Sequence, residues 1–377
     1  MEYRVYLDNS ATTRVSEAAA QRAYELMTGA YGNPSSLHSM GVEAERHLNL
    51  ARETVAKKLT ADPKEILFTS GGTESNNLAL FGAAEAMKRR GRHIVTTETE
   101  HASVLESAKE LKKNGFEITI LPVDTRGCIS MEKLSDAIAP DTILVSVMHC
   151  NNETGAIQPV EDIKKAIRSK KSPALLHVDA VQSFGKLTLR PERAGIDLLS
   201  VSGHKIHAPK GVGALYLSSG ARIVPCTFGG GQEKALRPGT EALPLIGAFA
   251  AAVAELPDPE EERARQNGLR QTLCDMLLDL PGVYINSPDD GLPYIVNFSV
   301  EGIRSEILLH HLAAENIFVS SGSACSKGKG SQVLRAMGLP QSRVDSAIRA
   351  SFSRHTAEEE IQALVRGVQS ALQVLIR

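Results

Sequence analysis

Ser202-Gly203-His204-Lys205 closes one apolar run, and an earlier run ends in His177-Val178-Asp179-Ala180-Val181-Gln182. A lysine just past one strand end and a carboxylate at the end of a neighbouring strand, with small and hydroxyl residues between them, have one recognisable joint use. Pyridoxal phosphate takes an amine for a Schiff base, an acid against its pyridinium nitrogen and donors for its phosphate. Lys205 would supply the amine. Asp179 would supply the acid, because a carboxylate that follows Leu-Leu-His-Val is costly to bury unless a cation faces it. A protonated ring nitrogen is such a cation, and an arginine is another. Gln182 would face the phenolic oxygen. The plain alternative for Lys205 is a solvated surface lysine, as most lysines are.

Four further segments carry chemistry. Ser70-Gly71-Gly72-Thr73-Glu74 joins a strand to a helix; its backbone N–H groups at Gly72 and Thr73, with the Thr73 hydroxyl, suit a phosphate. As a bare turn it would use Thr73 as an N-cap. His101, in Glu98-Thr99-Glu100-His101, is placed to stack on a flat cofactor and to move protons, or is simply a histidine at a helix start. Asn152, in Asn151-Asn152-Glu153-Thr154-Gly155, would bond the ring or the substrate, unless the segment is only a turn. Cys325 lies in Ser320-Ser321-Gly322-Ser323-Ala324-Cys325-Ser326-Lys327-Gly328-Lys329-Gly330, where two nearby lysines favour the thiolate. The glycine-rich stretch Gly229-Gly230-Gly231…Arg237-Pro238-Gly239-Thr240 reads on its own as a flexible loop.

The elements that must position these residues form an alternating pattern. Runs at Ile66–Thr69, 93–96, 118–121, 143–147, 175–178 and 198–201 are short, apolar and β-branched, with helical segments between several of them. This is the pattern of an α/β domain with a mainly parallel sheet, whose ligands gather beyond the carboxyl ends of the strands. Thr69, His101, Asn152, Asp179 and Lys205 all fall near or after such ends. The break Leu256-Pro257-Asp258-Pro259-Glu260 marks a boundary. The expected division is a large cofactor-binding α/β domain over 16–256 and a smaller α+β domain made of 1–15 and 257–377, carrying the Cys325 loop. Thr356 with Glu359 is expected to form a capping box for a last helix whose apolar face includes Ile361, Leu364, Val365 and Val368.

Bulk composition narrows the function. The chain has 377 residues, 42% of them hydrophobic, and a net charge of −2, which gives no electrostatic footprint for nucleic acid or a membrane surface. It has no apolar run long enough to span a bilayer and no signal-peptide pattern, so a cytoplasmic protein is expected. Five scattered cysteines with no CxxC pair argue against a zinc site or a disulfide framework, and no metal is expected. Cys128, Cys150, Cys226 and Cys274 read as small buried hydrophobes.

Taken together, Ser-Gly-His-Lys, His-Val-Asp-Ala-x-Gln and Ser-Ser-Gly-Ser-Ala-Cys closely resemble the cysteine desulfurases of the NifS/IscS type, in the class V aminotransferase group of fold-type I pyridoxal phosphate enzymes. The resemblance runs from Tyr6-Leu7-Asp8-Asn9-Ser10-Ala11-Thr12-Thr13 to Ser351-Phe352-Ser353-Arg354. It implies that Lys205 holds the cofactor, Asp179 pairs with the ring nitrogen, Gln182 with the phenolate, and His101 stacks on the ring. It assigns the phosphate to Thr73, Ser202 and His204, with Thr240 reaching it from a partner subunit, hence a homodimer. Arg354 would clamp the substrate carboxylate, with Asn152 assisting. The implied reaction converts L-cysteine to L-alanine and leaves a persulfide on Cys325 for a sulfur-acceptor protein. A selenocysteine lyase or a plain class V aminotransferase would share Lys205 and Asp179, and the setting of Cys325 favours desulfuration.

One departure bears on the acceptor. Ser326–Gln332, before Val333-Leu334-Arg335-Ala336, is shorter and more basic than in the housekeeping iron–sulfur enzymes. It is closer to short-loop relatives that serve dedicated acceptors such as tRNA-thiolation proteins, which puts an iron–sulfur scaffold partner in question.

Overall fold

The computed structural model describes residues 4–322 and 330–375; the Cys325 assignment lies outside the described residues. Seven strands form one sheet in the spatial order Ile66–Thr69, Gly213–Leu217, Leu198–Ser202, Leu175–Asp179, Thr142–Met148, His93–Thr97, Glu117–Leu121. Six point the same way, and Gly213–Leu217 runs against both neighbours. Every residue of the three central strands Leu198–Ser202, Leu175–Asp179 and Thr142–Met148 is buried. That burial requires cover on both faces. One face packs on a core that includes Val145, Val147, Val178 and Val201 with Leu26, Val55 and Phe249 from helices Glu17–Thr28, Ser39–Leu59 and Leu243–Ala254. The other packs on Leu78, Ala83, Val104 and Leu111 from helices Gly72–Met87 and Ala102–Lys113. The expected α/β class is the one observed.

A separate apolar core joins Val5 and Leu7 to Leu273, Phe298, Ile348, Ala350, Ile361, Leu364 and Val368. Its three-stranded antiparallel sheet has the order Ala347–Ser351, Ile295–Val300, Val283–Ile285. The N-terminal strand Val5–Tyr6 pairs in parallel with Ile317–Phe318. This pairing delivers Ser10 and Ala11 to the carboxyl ends of the large sheet, where both line the main cavity.

Three local expectations need correction. Gly213–Leu217 is a strand and Leu243–Ala254 a helix that the pattern did not single out; both are glycine- or alanine-rich and lack strong periodicity. The last helix starts at Glu358, one residue later than a Thr356–Glu359 box requires. Thr356 Oγ1 instead accepts from Ser353 N–H, and Glu360 reaches back to the Ala357 N–H. Of the four cysteines expected to be buried, only Cys150 is; Cys128 and Cys274 are half-buried, and Cys226 is exposed on a loop.

Candidate active site

A cavity of about 570 Å³ opens beyond the carboxyl ends of the strands. Gly72, Thr73, His101, Asn152, Asp179, Gln182, Ser202, His204 and Lys205 all line it. Residues spread over more than 130 positions of chain are thus gathered by one sheet edge, as parallel α/β sheets do.

Backbone conformation explains the first glycine of the pair and close packing the second. Gly71 is the N-cap of helix Gly72–Met87 and holds φ 148°, in the region that disfavours side chains. A Cβ on Gly72 would lie 2.6 Å from Val181 Cγ2. The helix start therefore presents bare N–H groups beside Thr73, Ser202 and His204. Thr73 is in the first turn and leaves the cap position to Gly71. His204, whose Nδ1 is 3.2 Å from Thr12 Oγ1, is pushed down to about 4 by burial and by the nearby Lys205 and Lys210 charges.

Asp179 is 3% exposed. Its Oδ2 accepts from Asn76 Nδ2 at 2.7 Å and its Oδ1 from the Val181 N–H at 3.0 Å, and no lysine or arginine forms a salt bridge with it among the described residues. Burial raises its pKa against those two hydrogen bonds. A carboxylate left this way lacks a cation, which a protonated pyridine nitrogen would provide. Gln182 donates through Nε2 to Ser10 O at 3.0 Å, and its buried Oε1 has no partner among the described residues. His101 caps helix Ala102–Lys113: its Nδ1 accepts from the Ser103 N–H and sits 2.8 Å from Ser103 Oγ, which fixes the ring at the cavity wall. The Lys205 amine donates to Ser10 O and, at 2.8 Å, to Ala11 O. Burial, then the Arg349 and Lys186 charges, push it down to about 7. An amine whose pKa is lowered to about 7, an acid with no salt-bridge partner among the described residues and an N–H-lined helix start fit pyridoxal phosphate.

The expected arginine is placed differently. Arg354 does not line this cavity: Nη1 donates to Glu255 O at 2.6 Å and Nη2 pairs with Glu255 Oε2 at 3.2 Å. What enters is Arg349, 4% exposed, in the strand Ala347–Ser351. Ile348 and Ala350 face the apolar core, so alternation turns Arg349 the other way. Its Nη1 donates to Asn152 O at 2.9 Å, its Nη2 pairs with Asp8 Oδ1 at 2.7 Å, and its buried Nε has no partner among the described residues. A single charged residue inside a strand of small and apolar residues was the signal that could have found it. Thr240 is exposed and outside its own chain's cavity.

Two buried acids escaped the motif reading. Glu100 accepts from Thr97 Oγ1 and the Met148 N–H through Oε1, leaves Oε2 unpartnered among the described residues, and is pushed up to about 8 mainly by burial. Glu153, 9% exposed, is pushed up to about 7, again mainly by burial. Glutamates beside histidine and asparagine read in sequence as solvated turn residues.

The chain matches the family described as aminotransferase class-V over residues 5–364. It is 42% identical to a protein named cysteine desulfurase IscS from Pseudoalteromonas translucida (strain TAC 125), over 99% of this chain and 93% of that protein. It is 39% identical to the putative cysteine desulfurase IscS 1 of Bacillus subtilis (strain 168), over 99% of both. A solved structure of a NifS-like protein superposes with a TM-score of 0.94 at 40% identity, covering 99% of this chain and all of that one. Over such extents of match the chain belongs to the class-V aminotransferase family, among the cysteine desulfurases of the NifS/IscS type.

Proposed function

We infer that this chain is a pyridoxal phosphate-dependent cysteine desulfurase, taking sulfur from L-cysteine and releasing L-alanine. The observation that carries this reading is the convergence of Lys205, Asp179, His101 and Arg349 on one cavity. The cofactor, when bound, supplies an electron sink next to the substrate α-carbon. Lys205 would bind it and then move the Cα proton. Asp179 would hold the ring nitrogen protonated, Gln182 would donate to the phenolate, and His101 would cover the ring face. Gly72, Thr73, Ser202 and His204 would hold the phosphate. The Cys325 thiolate would then attack the substrate sulfur. An S–S bond forms, the C–S bond breaks, and its electron pair stays with the three-carbon fragment, which takes a proton and leaves as L-alanine.

The acceptor of that persulfide is a protein. The short basic run 326–332 favours a tRNA-thiolation protein over an iron–sulfur scaffold. A thiol that must stay reduced suits the cytoplasm; among the described residues no helix is long and apolar enough to cross a membrane. The direct test incubates the purified protein with ³⁵S-labelled L-cysteine, alone and with each kind of acceptor, and assays alanine, sulfide and labelled acceptor. Absence of alanine would end the reading, and label on the scaffold alone would reverse the acceptor choice.

Arg349 is the proposed carboxylate clamp, assisted by Asn152. Its unpaired buried Nε and its place in the cavity support this. Arg349→Ala is expected to raise KM for L-cysteine about 30-fold or more, the loss of a desolvated charge pair worth ~2 kcal/mol. Arg354→Ala should leave KM within about twofold, because Arg354 does not line the cavity that holds Lys205 and Asp179. Steady-state kinetics of both variants decide between them, and the opposite ranking would restore Arg354.

Thr240 is exposed on the loop that follows the left-handed residues Glu233, Lys234 and Ala235. Its proposed place is the phosphate site of a second copy, which makes the enzyme a homodimer. Light scattering should give twice the 40.5 kDa chain mass; full activity in a monomer would reject the shared site.

A further inference from the structure

The two stretches of chain that flank residues 323–329 meet on one side chain. Ser331 Oγ donates to Glu153 Oε2 at 2.5 Å. The same hydroxyl accepts the Leu334 N–H at 3.0 Å and so caps helix Gln332–Ala336. From the other stretch, Gly322 lies so close that a Cβ on it would be 3.1 Å from the same Oε2. Gly322 is tied back through its N–H to Ser320 Oγ, and Ser320 exchanges two backbone bonds with Arg349.

Glu153 itself is firmly held. Its N–H donates to Asn151 Oδ1 at 2.9 Å, its carbonyl accepts from Asn297 Nδ2 at 3.2 Å, and Asn151 is bonded to Thr99 O. A carboxylate on so fixed a backbone is a rigid post. Burying it is costly, and a simple turn would need no acid there.

We propose that Glu153 is a positioning residue that holds the stem after the Cys325 segment through Ser331, abuts the stem before it at Gly322, and so sets how the thiol meets the substrate sulfur. This rests on the desulfurase reading above. Glu153 would act through Ser331 and Gly322, leaving the chemistry at the α-carbon to Lys205. Glutamine in its place keeps an acceptor oxygen at the same reach, whereas alanine removes the post.

The test uses the full chain loaded with cofactor, as wild type, Glu153→Ala, Glu153→Gln and Ser331→Ala. The rate of Cys325 persulfide formation, read by quench and mass spectrometry, should fall about tenfold or more in Glu153→Ala and Ser331→Ala, as the loss of one buried hydrogen bond that leaves its partner unsatisfied predicts. Glu153→Gln should recover most of it. The cofactor's absorbance response to L-cysteine should stay within about twofold of wild type in all of them. Amide exchange in residues 330–337, measured without cofactor or substrate, should quicken in Glu153→Ala and return toward wild type in Glu153→Gln. A wild-type persulfide rate in Glu153→Ala, or an absorbance response slowed as much as the persulfide step, overturns the proposal. A wild type that makes neither alanine nor persulfide would instead overturn the desulfurase reading, and the exchange measurement would still decide whether Glu153 holds the stem at Ser331.

Discussion

Alanine at position 205 is expected to abolish the cofactor's absorbance band and to cut L-cysteine turnover by at least about 10³-fold. A single positioned proton-transfer group contributes roughly 10²–10⁴-fold, and this one amine must also hold the cofactor. The other lysine lining the cavity among the described residues, Lys109, is paired with Glu106 and is no substitute. The wild-type amine should also betray its environment. Burial, then Arg349 and Lys186, bring Lys205 down to about 7, and only the neutral amine attacks a carbonyl. Raising the pH removes the proton, so capture of pyridoxal phosphate by the cofactor-free protein should speed up roughly tenfold from pH 6 to pH 8 and then level off. An ordinary lysine, with pKa near 10.4, would show a rate still climbing at about pH 10. Stopped-flow absorbance measures this directly. An unchanged band in Lys205→Ala would remove the cofactor assignment, and a rate that never levels would remove the account of the amine.

How much of this was legible in the sequence depended on how unusual each residue is in its setting. Asp179 and Lys205 stand out because charged residues at the ends of buried strands need a reason. The Gly71-Gly72 pair stands out because a helix start rarely needs two glycines; here Gly71 holds φ 148° and a Cβ on Gly72 would meet Val181 Cγ2 at 2.6 Å. Arg349 and Arg354 both sit at or near the end of one strand, and only side-chain alternation separates them. Ile348 and Ala350 face the apolar core, which sends Arg349 into the cavity, while Arg354, past the strand, turns to Glu255. Glu100 and Glu153 were not legible at all. Their burial is set by strands and helices distant in sequence: Met148 closes on Glu100, Ser331 on Glu153. The last helix shows the other kind of miss, a cap displaced by one residue because Thr356 was already used by a turn with Ser353.

Cys325→Ala should keep cofactor and substrate binding and lose persulfide formation down to background. The two halves of the reaction need different groups. On the proposed reading Lys205 would move the α-carbon proton while Asp179 holds the ring nitrogen, and none of that work would use a thiol, so L-cysteine should still change the cofactor's absorbance in the variant. Breaking the C–S bond needs a nucleophile for sulfur, and water is a poor one. Lys327 and Lys329, two and four residues on in the sequence, would favour the thiolate form of Cys325. The remaining thiols are worse placed for the task. Cys150 is fully buried, with its pKa pushed up to about 12, and burial also raises Cys128 and Cys274. None of the four lines the cavity that holds Lys205. Mass spectrometry after cysteine treatment should therefore find one extra sulfur on the Cys325 peptide and none on the peptides carrying the other four. Normal alanine production by Cys325→Ala, or the extra sulfur on exposed Cys226, would name a different nucleophile and require a different route for sulfur out of the cavity.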